Sequence, residues 1–190
     1  MAALSIEAGY SAGMAQNQPL PHLWLLSDAR NDARLEVALK RMPTGSGFVY
    51  RHYHLAPPAR RARFDECAVI ARACGHLVVL SGSGDVAQSW GADAIYGASE
   101  AIAQSPGIAR FATAHNAQEI AQAQKAGADA LFLSPVFPTR SHEGAATLGA
   151  AKFRQLAALS AIPVIALGGM NAERARKLDW PRWAAIDGLS

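Results

Sequence analysis

Three observations predict that this chain forms an α/β fold, a TIM-type (β/α)8 barrel lacking its last helix. From Leu23 onward, short apolar runs alternate with helix-like segments, the pattern of a parallel sheet with helical crossovers. The phrase Gly91-Ala92-Asp93-Ala94-Ile95 returns as Gly127-Ala128-Asp129-Ala130-Leu131, each time a glycine helix stop followed by a new strand. The strands then number about eight, and eight strands joined by helices close most naturally into a barrel. An open doubly wound sheet is the alternative.

Residues 1–22 read as an irregular N-terminal extension and residues 23–190 as a single domain. Leu23–Ser27 reads as the first strand, and Asp32–Met42 as a helix with an apolar face at Leu35, Val37 and Leu39. Phe48–Tyr53 is the second strand, followed by an Arg-rich helix from about Ala59 to Ala73. Leu77–Ser81 is a short buried strand; a brief helix, Asp85–Trp90, follows with Asp85 as its cap. Strands Ala92–Tyr96 and Ile108–Thr113 come next, then the helix Ala117–Ala126. Leu131–Leu133, Val164–Leu167 and Ala184–Asp187 complete the strands. No eighth helix is predicted after the last of these. The N-terminal segment or a partner subunit is expected to cover the outer face this leaves open, and a homo-oligomer is expected.

Hydrophobic residues make up 51% of the chain and charged residues 17%, enough apolar material for a real core in one domain. The net charge of +3 is mild, and the arginines (Arg60, Arg61 and Arg63; Arg174 and Arg176) are spread over several helices. No basic stripe with interleaved aromatics is present, so a nucleic-acid partner is not expected. No apolar run reaches the length of a membrane span, and no Lys/Arg-led secretory segment precedes one; a soluble cytoplasmic protein is expected. Cys67 and Cys74 lie seven apart on one predicted helix, too far to bridge and without partners for a metal.

The stretch Pro163-Val164-Ile165-Ala166-Leu167-Gly168-Gly169-Met170-Asn171 carries the clearest functional signal. A buried parallel strand ends in two glycines that let backbone approach an anion, and Asn171 can cap the helix that follows. Two readings stand: bare N–H groups at the strand end make a phosphate site, or the pair is a tight turn.

Leu133-Ser134-Pro135-Val136-Phe137-Pro138-Thr139, a polar loop, Leu148-Gly149 and then the Gly168-Gly169 strand resemble the thiamin phosphate synthase/TenI family. Leu25-Leu26-Ser27-Asp28 and Ala114-His115-Asn116-Ala117-Gln118-Glu119 match it too. The resemblance runs over residues 23–190 and is strongest from Thr113 to Asn171. It implies a barrel that binds thiazole phosphate at the carboxyl ends of its strands, a small phosphorylated substrate. Synthase members join this to a pyrimidine methyl pyrophosphate with magnesium; TenI-type members isomerise thiazole carboxylate phosphate. By position, Gly168, Gly169 and Ser190 would hold the thiazole phosphate, and Thr139 and Ser141 match loop hydroxyls at the substrates.

The chain departs from the synthase pattern in three places. The Asn-Asp pair expected after the third strand reads Ser81-Gly82, and only Glu100 follows the fourth strand where a second metal-binding Asp is expected. Magnesium needs hard carboxylate oxygens, so no metal is expected on an isomerase reading, and Mg2+ only on the synthase reading. The family's Gln-x-Arg-x-Lys reads Tyr50-Arg51-His52-Tyr53-His54. In one register His52 and His54 take the Arg and Lys places and point into the barrel; in the other Arg51 takes the Arg place and Tyr53 the Lys place. The loop lysine is replaced by His142 in Arg140-Ser141-His142.

His142, and with less support His52, are the acid/base candidates; Arg51 and Arg140 are candidate anion partners. His115 begins a helix, and its side chain is expected to bond nearby backbone. TenI-type enzymes carry a histidine where this chain has Ser134, so another imidazole would have to substitute. The favoured reading is a metal-free, TenI-like thiazole isomerisation. Thiamin phosphate synthesis and a non-catalytic phosphate-ligand binder are the alternatives.

Overall fold

The computed structural model describes residues 19–142, 144 and 146–189. Eight parallel strands close into a barrel in the order of the chain: β1 (Leu23–Leu26), β2 (Gly47–Tyr50), β3 (Leu77–Ser81), β4 (Ala94–Gly97), β5 (Ala109–Ala114), β6 (Ala130–Leu133), β7 (Val164–Ala166) and β8 (Trp183–Ala185). Closure is made by β8 against β1, with Trp24 opposite Ala184. Between strands run α1 (Leu35–Arg41), α2 (Pro57–Ala73), α3 (Gly84–Trp90), α4 (Ser99–Ala103), α5 (Ala117–Lys125), α6 (Gly149–Ala157) and α7 (Ala172–Leu178). After β8 the described chain ends in a 3-10 turn, Asp187–Leu189. The barrel is therefore the predicted one, and the open-sheet alternative is excluded.

Alternation along the strands builds two cores. Leu25, Phe48, Tyr50, Val78, Leu80, Ile95, Leu131 and Leu133 face outward onto the helices, while Trp24, Leu26, Val49, Val79, Phe111, Phe132 and Ile165 fill the barrel. Three aromatic rings dominate that interior, Trp24 meeting Phe111 and Phe132 edge to face at 5.3 Å each. Small residues make room for them: a Cβ on Gly47 would lie 2.1 Å from the Trp24 ring. Leu20, which the sequence placed in the extension, is buried in the same interior core. The expectation that the N-terminal segment covers the face beside β8 falls on residues 1–18, outside the described residues.

The repeated phrase has a structural reason. Asp93 and Asp129 each bond the strand that precedes theirs, using both backbone and side chain. The Asp93 N–H donates to Val78 O at 2.8 Å, and its carboxylate accepts from Val78 N–H at 2.7 Å. Asp129 does the same with Arg110, at 2.8 Å for both bonds. Each aspartate sets the pairing register as a helix hands over to the next strand.

Several expected boundaries are corrected. The first helix opens as a 3-10 turn at Asp32–Arg34, and Val37, predicted inward, is exposed while Leu35, Ala38 and Leu39 are buried. The cap of α3 is Ser83, not Asp85: Ser83 Oγ accepts from Val86 N–H. α4 was not foreseen. β2 ends at Tyr50 rather than Tyr53, with consequences for the site.

Candidate active site

The carboxyl ends of the strands enclose a cavity of about 290 Å³, near the lower end of the range for small-molecule sites. Its floor and walls come from Arg51 and Tyr53 after β2, Tyr96 on β4, His115 after β5, Ser134 after β6, Gly168 and Gly169 after β7, and Asp187 and Gly188 after β8.

The glycine pair forms one corner. Gly168 and Gly169 have φ of +93° and +63°, a left-handed backbone that suits glycine. Both are packed under the loop after β6: a Cβ on Gly168 would lie 2.6 Å from Pro135 Cα, and one on Gly169 2.4 Å from Pro138 O. Pairing of Val136 N–H with Leu167 O at 2.9 Å and of Phe137 N–H with Gly168 O at 3.1 Å fixes that arrangement. The N–H groups of Gly168 and Gly169 meet no acceptor among the described residues. Gly188 packs against the same turn, where a Cβ would sit 2.2 Å from Met170 O. Asn171 caps α7 as predicted, accepting from Arg174 N–H at 2.9 Å.

His115 lines the same cavity from the end of β5. Its backbone N–H donates to Glu119 at 2.8 Å, and Asn116 and Glu119 form a reciprocal cap on α5. Its ring is bonded to backbone, as expected, but to the distant Ser134 carbonyl through Nδ1 at 2.7 Å. A carbonyl only accepts, so Nδ1 carries the hydrogen, and the neutral ring keeps a bare Nε2. That ring lies beside Ser134, with the hydroxyl 3.3 Å from Nδ1.

Arg51, Thr139, Ser141, Gly168 and Gly169 all line the cavity. Arg51 donates to Asp28 at 2.8 Å, and burial holds the Tyr96 phenol protonated, its pKa pushed up to about 12. Tyr53 reaches over the end of β3 to hydrogen-bond Ser81. Arg140 stays largely exposed and reaches the site through an ion pair with Asp187 at 3.0 Å. The side chain of His142 and all of Ser190 lie outside the described residues.

His52 is corrected. Alternation stops with β2 at Tyr50, and the chain turns at His52 with φ of +35°. Its ring lies buried outside the cavity, stacked on Tyr50 at 4.7 Å. Nε2 donates to Asp32 at 2.8 Å, and the Ser27 hydroxyl donates to Nδ1 at 2.8 Å while accepting from Arg51 N–H. Serine, histidine and aspartate in a row suggest a nucleophile, but Ser27 is fully buried and its hydroxyl is committed. The network is structural. The geometry matches the second register, with Arg51 and Tyr53 facing the cavity.

The network also sets a pH response. Burial lowers the His52 pKa, against the pull of Asp32, so folding favours the neutral ring. For Asp32, burial raises the pKa, but hydrogen bonds from His52 and Arg63 outweigh it and the carboxyl lies below its ordinary range. The unfolded chain takes up its histidine proton near the ordinary value of about 6.5. Stability from His52 is thus lost as pH falls below that value, and stability from Asp32 is lost at more acid pH. Urea midpoints at pH 7.5 and pH 5 should therefore fall on acidification, and His52→Asn should shrink that fall. An unchanged or rising midpoint would contradict the assignment.

Magnesium finds little at this mouth. Ser81 and Gly82 end β3, Gly97 and Ala98 end β4, and the carboxylate in the cavity wall, Asp187, is paired with Arg30 and Arg140. Among the described residues, no three His, Cys, Asp or Glu side chains gather as a metal would need. The donor set does not fit the ion.

Fold and site together define a (β/α)8 barrel with an open-amide corner and, among the described residues, one imidazole lining a small cavity. The model of the thiamine monophosphate synthase family (TMP-TENI) matches residues 24–179, and the chain belongs to that family. The chain is 35% identical over 74 residues to the thiamine-phosphate synthase of Pyrococcus furiosus, covering 39% of this chain and 36% of that one. It is 32% identical over 100 residues to the enzyme of Methanococcus vannielii, covering 50% and 48%. The matches thus span less than half the length of these relatives. The thiamine phosphate pyrophosphorylase structure from Pyrococcus furiosus superposes with a TM-score of 0.72 at 24% identity, over 86% of this chain and 84% of that one, which shows the fold. No described helix is long and apolar enough to cross a membrane.

Proposed function

We propose that this chain is an enzyme that isomerises a phosphorylated thiazole without a metal, by proton transfer at His115. One observation carries this reading: a single cavity is lined both by the glycine pair with its open amides and by an imidazole bonded through Nδ1, which leaves Nε2 bare. The amides of Gly168 and Gly169 receive the phosphate and place the ring between the walls. His115 Nε2 takes a proton from one ring position, and the resulting imidazolium returns it at another. Atoms and charge balance within the one substrate. Histidine suits this work near neutral pH, and the Ser134 carbonyl keeps the ring in one orientation.

His115 replaces His142 and His52 as the leading proton carrier. It lies beside Ser134, where TenI-type enzymes carry a histidine, so the chemistry is supplied from the next strand end. A cavity of about 290 Å³ also suits one substrate better than two. The synthase alternative rests on the names of the relatives. It requires fixed cations and metal carboxylates for a departing pyrophosphate; the mouth supplies Arg51, Arg30 and Arg140, but the carboxylate in its wall, Asp187, is already paired with two of them.

Two assays separate the readings. Product from thiazole carboxylate phosphate without added metal is the expected result. Thiamin phosphate from thiazole phosphate, pyrimidine pyrophosphate and magnesium would overturn it in favour of the synthase. Binding of phosphorylated thiazole with no product in either assay would support the binder.

A further inference from the structure

Five charged side chains alternate in sign across the rim of the cavity. Arg140 pairs with Asp187 at 3.0 Å, and Asp187 with Arg30 at 3.7 Å. Arg30 pairs with Asp28 at 2.9 Å, and Asp28 with Arg51 at 2.8 Å. They come from the chain after β6, β8, β1 and β2, and Arg30 also donates to Ser141 at 2.8 Å. The two carboxylates are held unequally. Asp28 accepts hydrogen bonds from both of its arginines, and those bonds hold its pKa below the ordinary range even though burial raises it. Asp187 Oδ1 is shut off from solvent yet finds no aligned hydrogen bond among the described residues, and Oδ2 is 3.7 Å from Arg30.

Asp187 is also the carboxylate adjoining the glycine corner. It precedes Gly188, whose backbone packs on Met170 and Asn171, and it lines the same cavity as Gly168 and Gly169. A phosphate entering that corner meets a like charge that pairs with Arg140 at 3.0 Å and Arg30 at 3.7 Å, neither through an aligned hydrogen bond. We propose that Asp187 is a built-in stand-in anion: in the free protein it neutralises Arg140 and, at longer range, Arg30, and it yields both to the ligand's phosphate. The inference rests on the reading of the glycine corner as a phosphate site.

Such a carboxylate makes the site selective. An anion with no ring to bury must displace Asp187 without compensation, so inorganic phosphate binds poorly. A phosphoester whose ring fills the cavity recovers the cost through apolar and aromatic contacts.

The test is titration of inorganic phosphate into the full chain and its Asp187→Asn, Asp187→Ser and Asp187→Glu variants, followed by calorimetry. Asp187→Asn and Asp187→Ser should tighten binding about tenfold, the scale of removing one like charge from a partly buried anion site; Asp187→Glu should not. If Asp187 serves only to orient the arginines, the neutral variants will bind more weakly, and the proposal falls. It falls equally if affinity is unchanged. Absence of phosphate binding in every variant would sink the glycine-corner reading as well, whereas binding without tightening sinks only the stand-in role.

Discussion

His115→Gln should lower kcat for thiazole isomerisation by roughly 10²- to 10⁴-fold, the range for a positioned acid/base group. Affinity for the phosphorylated substrate should stay within a few-fold of wild type, because on the proposed reading the phosphate is held by the glycine amides and not by His115. Glutamine keeps a donor for the Ser134 carbonyl, which His115 Nδ1 meets at 2.7 Å, so the local fold should survive. What it removes is a group that both accepts and returns a proton. A loss confined to kcat marks His115 as the proton carrier; equal losses in kcat and affinity would make it a packing residue instead. Parallel measurement of His142→Gln separates the two candidate histidines, and the smaller effect is expected there.

The fold was legible wherever apolar runs met a glycine stop, because that combination marks a buried parallel strand whatever surrounds it. β3 matches its expected limits, Leu77–Ser81, for this reason. β2 failed because Arg51-His52-Tyr53 alternates like a strand. The left-handed turn at His52 is enforced by Ser27 and Asp32, partners that spacing along the chain does not reveal. α4 is five residues long, too short for a helical period to register. The site divides in the same way. The left-handed corner at Gly168 and Gly169 was legible because backbone freedom is written in the residue type itself. The place of His115 in the cavity wall was not legible, because its ring is bonded to a carbonyl nineteen residues away on another strand end. Asp187 carried no local signal at all. Its ion pairs form only because the loops after β1, β6 and β8 converge there.

Trp24→Ala should be the most damaging change to the barrel itself, costing about 3–5 kcal/mol, the range for deleting a large buried aromatic side chain. For a chain of this length each kcal/mol shifts the thermal midpoint by about 2–4 °C, so calorimetry should show a drop of about 6–20 °C. The size follows from where the ring sits. Trp24 is fully buried, meets Phe111 and Phe132 edge to face, and donates its indole N–H to Pro21 O at 2.8 Å. Gly47 is opposite it, so no neighbouring side chain is available on that side to collapse into the space. Trp24→Phe should cost less, because a smaller ring still fills part of the volume. A loss below about 1 kcal/mol in Trp24→Ala would mean the interior can repack, contrary to the geometry. The same column of rings reaches the mouth: Phe132 supports Tyr96 edge to face at 5.1 Å, and Tyr96 lines the cavity. Loss of Trp24 should therefore also weaken substrate affinity in protein that remains folded, because the wall at Tyr96 rests on the packing beneath it.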